Sequence, residues 1–147
     1  MTEENEGIVT EKNIEDYKLL KEMLHSQKKE FDLLAKKKAD GQLNTMKIKM
    51  VNRVLEPLKE LFKNEESYKF LDTLNEDELP TNSDVVLIFS QYETAINEFK
   101  NKYYQKDEYL SSEWETKWRW MTKEFPPNYY ENYYENIGND DDYEDDE

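Results

Sequence analysis

Between Val85 and Tyr103 the apolar residues Val85, Phe89, Tyr92, Ile96, Phe99 and Tyr103 recur at steps of four, three, four, three and four. That spacing keeps one stripe of a helix facing a partner through nearly three heptads. A strand could not use it, because alternate residues of a strand point to opposite faces. A helix with such a stripe has to bury it, so the rest of the chain must supply the surface on which it packs.

Two stretches upstream can supply that surface. Ile14, Tyr17, Leu20, Leu24, Phe31 and Leu34 fall at helical spacing, with a gap at Gln27, and predict a helix over about 11–38. Thr10 or Asn13 could cap it, and Ala39-Asp40-Gly41 should end it with Gly41 at a positive φ. A second helix is expected over about 42–63 on Leu43, Met46, Met50, Val54, Leu58 and Leu61, backed by Val51, Leu55 and Phe62. Pro57 lies inside it and predicts a kink or break near Glu56. The short connection between the two implies an antiparallel helical hairpin. A brief helix around 66–74 and a loop over 75–80 follow. Ser83 and Asp84 then mark the start of the heptad helix.

The stripe weakens at Lys106-Asp107 and resumes with Leu110, Trp114, Trp118 and Met121. Ser111-Ser112 could interrupt it, so one long helix or two shorter ones are expected before Pro126-Pro127 stops helical structure. The expected fold is all-α: a small helical bundle over residues 10–125, built from the antiparallel hairpin and a long C-terminal helix. Residues 1–9 are expected to be a disordered N-terminus and 126–147 a disordered, acidic, tyrosine-rich tail. Charged residues reach 37% and apolar ones only 36%, so part of the chain should lie outside the core.

The net charge of −15 is unevenly distributed. The last twenty residues hold nine acids and no base, whereas residues 28–63 carry ten bases and five acids. No apolar run is long enough to cross a membrane, and the acidic start does not resemble a targeting peptide, so a cytoplasmic location is expected. The absence of cysteine excludes disulfides and thiolate metal sites. Neither a cofactor nor a metal is expected. The one histidine, His25, sits among Lys21, Lys28 and Lys29 with no second histidine, and there is no glycine-rich phosphate loop or nucleophile elbow. The sequence reads as a binding protein rather than an enzyme.

Three features suit partners. Trp114, Trp118 and Trp120, with Arg119 between the last two, have the composition of an interface centre, although one or two could serve a core. On a helix, Trp114 and Trp118 would share a face. A basic patch of Lys29, Lys36, Lys37, Lys38, Lys47 and Arg53 either complements the carboxyl end of the first helix or meets an acidic partner; direct nucleic-acid contact should be weak or indirect in so acidic a chain. In the tail, Tyr129, Tyr130, Tyr133, Tyr134 and Tyr143 are interleaved with acids, including Asp140, Asp141, Asp142, Glu144, Asp145, Asp146 and Glu147. Rings beside carboxylates imitate the stacking groups and phosphates of a single strand. Such a tail could also fold back on the basic hairpin, or serve only for solubility.

A cysteine-free helical protein rich in Lys, Glu, Asn, Ile and Tyr and ending in Asn-Asp-Asp-Asp-Tyr-Glu-Asp-Asp-Glu resembles the acidic-tailed accessory subunit of the archaeal B-family replicative DNA polymerase holoenzyme. The likeness covers size, composition, architecture and the tail, without a sequence signature. It implies a non-catalytic subunit whose helical body docks on the polymerase and whose acidic tail limits strand displacement. Two other classes fit the sequence: a nucleic-acid-mimicking inhibitor of a nucleic-acid enzyme, and a structural coiled coil that dimerises through the 85–103 stripe.

Overall fold

The computed structural model describes residues 8–145, and of 138–145 the backbone alone. Helices α1 (Glu11–Lys37), α2 (Thr45–Leu61) and α3 (Asn82–Tyr103) are followed by strands β1 (Tyr104–Lys106) and β2 (Trp118–Trp120) and by helix α4 (Tyr129–Asp145). Short 3-10 turns occupy Glu66–Phe70 and Glu76–Glu78. The chain divides into two compact units, residues 12–100 and the remainder. The fold is therefore mostly helical rather than all-α, because the expected helix beyond residue 106 is replaced by an antiparallel β-ribbon.

In residues 12–100 the heptad stripe organises the core. Val85, Phe89, Tyr92, Ile96 and Phe99 are all buried. Tyr17 of α1 stacks on Phe99 at 4.9 Å, Phe31 meets Phe89 edge-on at 5.8 Å, and Phe62 lies 5.3 Å from Phe99. The stripe is thus filled by the chain's own hairpin, which leaves those five residues unavailable to a coiled-coil dimer. Each large side chain so buried contributes roughly 2–3 kcal/mol, and ring pairs add about 1 kcal/mol. The polar ends of the buried tyrosines are satisfied: Tyr92 donates to the Asp72 carbonyl at 2.9 Å and Tyr17 to the Ile96 carbonyl at 3.3 Å.

Several local expectations shift. The buried stripe of α2 is Ile48, Val51, Leu55 and Leu58, extended by Val54 and by Phe62 just beyond the helix, whereas Met46 and Met50 stay exposed. Helix α2 runs through Pro57 without a break. Asn44 caps α2, its Oδ1 accepting from the Lys47 N–H. The cap of α3 is Thr81 rather than Ser83: the Thr81 N–H donates to the Asp84 carboxylate and the Asp84 N–H to Thr81 Oγ1, a capping box. The short helix expected near 66–74 is a 3-10 turn whose flanking Leu71 and Leu74 are buried.

Gly41 does not adopt the left-handed φ expected of it. Its role is close approach: a Cβ there would lie 2.9 Å from Asn82 Nδ2, which donates to the Lys38 carbonyl, while the Asn82 N–H donates to the Gly41 carbonyl.

The second unit contains residues 8–11 and 101–145. Tyr104, Gln105 and Lys106 pair with Trp120, Arg119 and Trp118. Val9, placed by composition in a frayed end, is buried, and its carbonyl accepts from the Lys123 N–H at 2.8 Å. The Glu11 N–H donates to the Glu124 carboxylate, and Thr122 Oγ1 donates to the Glu11 carboxylate. The rest of the expected disordered N-terminus, residues 1–7, lies outside the described residues, as do Asp146 and Glu147.

Composition reads 126–147 as unstructured, yet α4 occupies Tyr129–Asp145. Tyr129, Tyr130, Tyr133 and Tyr134 find ring partners: Tyr129 meets Phe125 edge-on at 4.8 Å and Tyr130 at 5.0 Å and stacks one turn on with Tyr133, while Tyr134 stacks on Tyr109 at 6.0 Å. Spacing of four places such rings above one another on a helix. The backbone of Asp140, Asp141, Asp142, Glu144 and Asp145 belongs to this helix.

Candidate functional site

The segment 104–120 folds into a ribbon whose two faces differ chemically. Trp118 and Trp120, two apart on β2, both lie against Tyr104 of β1, at 6.1 and 5.2 Å. Arg119, between them, is directed to the other face, as alternation in a strand requires. There its Nε donates to Asp107 Oδ2 at 2.6 Å. Its Nη1 donates to the Phe125 carbonyl and its Nη2 to the Pro126 carbonyl, each at 2.7 Å, and the guanidinium lies 5.2 Å from the centre of the Tyr130 ring. One cation thus ties the ribbon to the Pro-Pro segment and to the start of α4.

Asp107 is the counterpart of this hub and is only 3% exposed. Its Oδ1 accepts from the N–H groups of Tyr109 and Leu110, and its carbonyl accepts from the Ser111 N–H and hydroxyl. Burial alone would raise its pKa; the Arg119 guanidinium and the two backbone donors outweigh burial and hold the carboxyl below its ordinary value. Farther along, the Lys117 N–H donates to Ser111 Oγ, and Ser112 Oγ accepts from the N–H groups of Trp114 and Glu115. Short polar side chains here bond the backbone in turn geometry, which competes with helix and explains why the chain leaves the helical path.

The loop fixed in this way displays apolar side chains to solvent. Trp114 is 92% exposed and Trp118 55%, with Tyr109 and Leu110 also exposed. Carboxylates flank Trp114 on both sides, at Glu113 and Glu115, the latter paired with Lys117 at 2.7 Å. A rigid backbone carrying an exposed indole loses little entropy on docking, and tryptophan is prominent among interface hot spots.

Of the residues singled out in the sequence, the three tryptophans and Arg119 come together, but on a ribbon rather than a helix. Trp114 and Trp118 therefore do not share a helix face. Trp114 and Trp118 face solvent, Trp120 is half-buried, and Arg119 serves the ribbon's own architecture. The period-two run Trp118-Arg119-Trp120 was the available signal for a strand, masked by the four-residue step from Trp114 to Trp118 that also fits a helix. Asp107, Ser111 and Ser112, which set the loop, show in the sequence only as weak points of a helix.

Lys29, Lys36, Lys37, Lys38, Lys47 and Arg53 are all exposed in the other unit, and none has an ion pair among the described residues. Lys28 differs: it bonds Asp32 at 2.9 Å and approaches Glu93, and these two raise its pKa. Among the described residues no three His, Cys, Asp or Glu side chains are grouped to hold a metal, and no helix is long and apolar enough to cross a membrane. No protein-family model, curated protein or solved structure matches this chain.

Proposed function

We propose that this protein is a non-catalytic, protein-binding subunit of a nucleic-acid enzyme, with the 104–120 ribbon as its docking element. The observation that supports this reading is the nearly full exposure of Trp114 on a loop whose backbone is held on both sides of it. An indole left in water gives up roughly 2–3 kcal/mol that burial would return, and a loop braced this firmly does not need it for folding. The enzyme is taken to be a DNA polymerase, by resemblance in composition and acidic tail. The tail then acts on how that enzyme handles DNA, such as strand displacement, through its charge. A cytoplasmic location follows from the same reading.

The test is affinity capture from native extract at moderate salt with three baits: the full chain, Trp114→Ala, and a chain ending at residue 127. Recovery of one polymerase by the full chain and the truncation, but not by Trp114→Ala, is the expected result. Equal recovery by all three removes the ribbon from docking. The mimic reading draws on the acidic run at the end of the chain. It predicts that only full-length bait recovers many nucleic-acid proteins, in a salt-sensitive manner, and that DNA competes for them.

A further inference from the structure

The outer side of the α1–α2 hairpin is built unlike the rest of the 12–100 unit. Tyr17, Phe31 and Phe62 turn toward α3, where Phe89 and Phe99 cover them. Away from that core, Met46 is 70% exposed, Met50 49%, and Leu19 and Met23 are exposed as well. Leu19 and Met23 are four apart on α1, as are Met46 and Met50 on α2, so each pair shares a helix face. Gln27, one turn after Met23, spans the two helices by donating from Nε2 to the Met50 carbonyl at 3.0 Å. That bond joins α1 to α2 beside both pairs, and two packed helices leave a groove along their seam. The Gln27 Oε1 is enclosed without a donor among the described residues.

Charge sets the rim. Between residues 33 and 55 the chain carries six bases, Lys36, Lys37, Lys38, Lys47, Lys49 and Arg53, against the single acid Asp40, while Glu22 and Glu30 on α1 and Glu56 on α2 are exposed beside them. All six are exposed and none has an ion pair among the described residues. In a protein with net charge −15, cations left unpaired beside flexible thioethers form a surface of their own. Methionines adapt to the shape of an apolar partner, and two neighbouring helices leave a groove that accepts a third.

We infer that this groove is a second docking surface, independent of the tryptophan ribbon, and that its occupant is an acidic amphipathic helix of a partner protein. Apolar residues at helical spacing would lie on Met23, Met46 and Met50, and carboxylates on the flanks would meet Lys37, Lys49 and Arg53. A nucleic acid fits less well. Bases stack on aromatic rings, and the exposed side chains of the groove are aliphatic or thioether; phosphates would also approach against the charge of the whole chain.

The experiment uses the full chain labelled with carbon-13 at its methionine methyls. Met23, Met46 and Met50 report on the groove, and Met121, buried in the other unit, is the reference. The probe is a synthetic helix of about five turns with leucine at every third and fourth position and glutamate elsewhere. Its controls are the same peptide with lysine for glutamate, a single-stranded oligonucleotide, and vesicles containing phosphatidylserine. Saturable movement of the three groove methyls by the glutamate peptide, with Met121 still and the lysine peptide silent, is expected. The double variant Met46→Glu, Met50→Glu should weaken that binding at least about tenfold while leaving helical circular dichroism unchanged. Equal response to the lysine peptide, preferential response to the oligonucleotide or vesicles, or no response to any probe overturns the inference. Loss of polymerase capture by Trp114→Ala, or its persistence, leaves this result untouched, so the two sites fail separately.

Discussion

In residues 12–100 the side chains most fully removed from water are rings and aliphatics, such as Tyr17, Phe62, Phe89, Phe99, Leu55 and Leu58. In the unit of residues 8–11 and 101–145 the buried set among the described residues is short and includes Asp107 and Thr122, with the half-buried Arg119 bonded to Asp107. The first unit is held by non-directional burial, which tolerates exchange among apolar shapes. The second depends on directional bonds that fail together when one group is lost, because each remaining polar group is left enclosed without its partner. A ribbon of three residues per strand is too short to be stable through its ladder alone, so the Asp107–Arg119 hub and the rings around Tyr104 must supply the difference. The lesson is that a small unit can present an apolar side chain outward when polar contacts, rather than a core, fix its backbone.

The largest effect should come from the apolar unit. Phe89→Ala removes a ring that is fully buried against Phe31 and should cost about 4 kcal/mol, read as a lower urea midpoint by helical circular dichroism. Asp107→Ala should cost about 3 kcal/mol by stranding the Arg119 charge. If the comparison holds, that loss appears in tryptophan fluorescence and in hydrogen exchange of residues 104–120 before it appears in the helices. Simultaneous loss of both signals would show that the two units unfold as one.

Acid and alkali should separate the units in opposite directions. The Asp107 pKa is lowered in the folded protein, so its contribution is complete above the ordinary carboxylate value of about 3.9 and is withdrawn as pH falls through the folded value. The ribbon should therefore loosen in acid, visible as a change in tryptophan emission. Burial pushes Tyr17 up to about 12. Its contribution is complete below the ordinary tyrosine value of about 10 and is withdrawn as pH rises from there. The helical unit should weaken at that alkaline end, together with tyrosinate absorbance.

Smaller effects probe the loops of the helical unit. Gly41→Ala sets a methyl against Asn82 Nδ2 and should cost about 1–2 kcal/mol by disturbing the bond to Lys38; Asn82→Ala should then lose less in the Gly41→Ala background than in the wild type. Leu79 has a left-handed φ of 52° and is exposed. Leu79→Gly should stabilise by less than about 1 kcal/mol, measured by thermal unfolding.

By itself the sequence determined the stripe from Val85 to Tyr103 and the hairpin that meets it, whereas Pro126-Pro127, expected to stop helical structure, lies between the ribbon and α4. Stripe and hairpin are periodic or local properties, carried by residues near one another along the chain. The sequence also set the tryptophans and the basic patch apart, each with a structural reading beside the partner reading. The tertiary structure decided what periodicity could not. Trp114, Trp118 and Met121 fit a helical step, and Trp118-Arg119-Trp120 equally fits a strand. The choice between them rests on Arg119 meeting Asp107, Phe125 and Pro126 in space. Likewise Met46 and Met50 extend the apolar pattern of α2, yet Ile48 and Val51 take the buried side. Helical spacing names the side chains that can share a face, and packing against the neighbouring element selects which face is hidden from water.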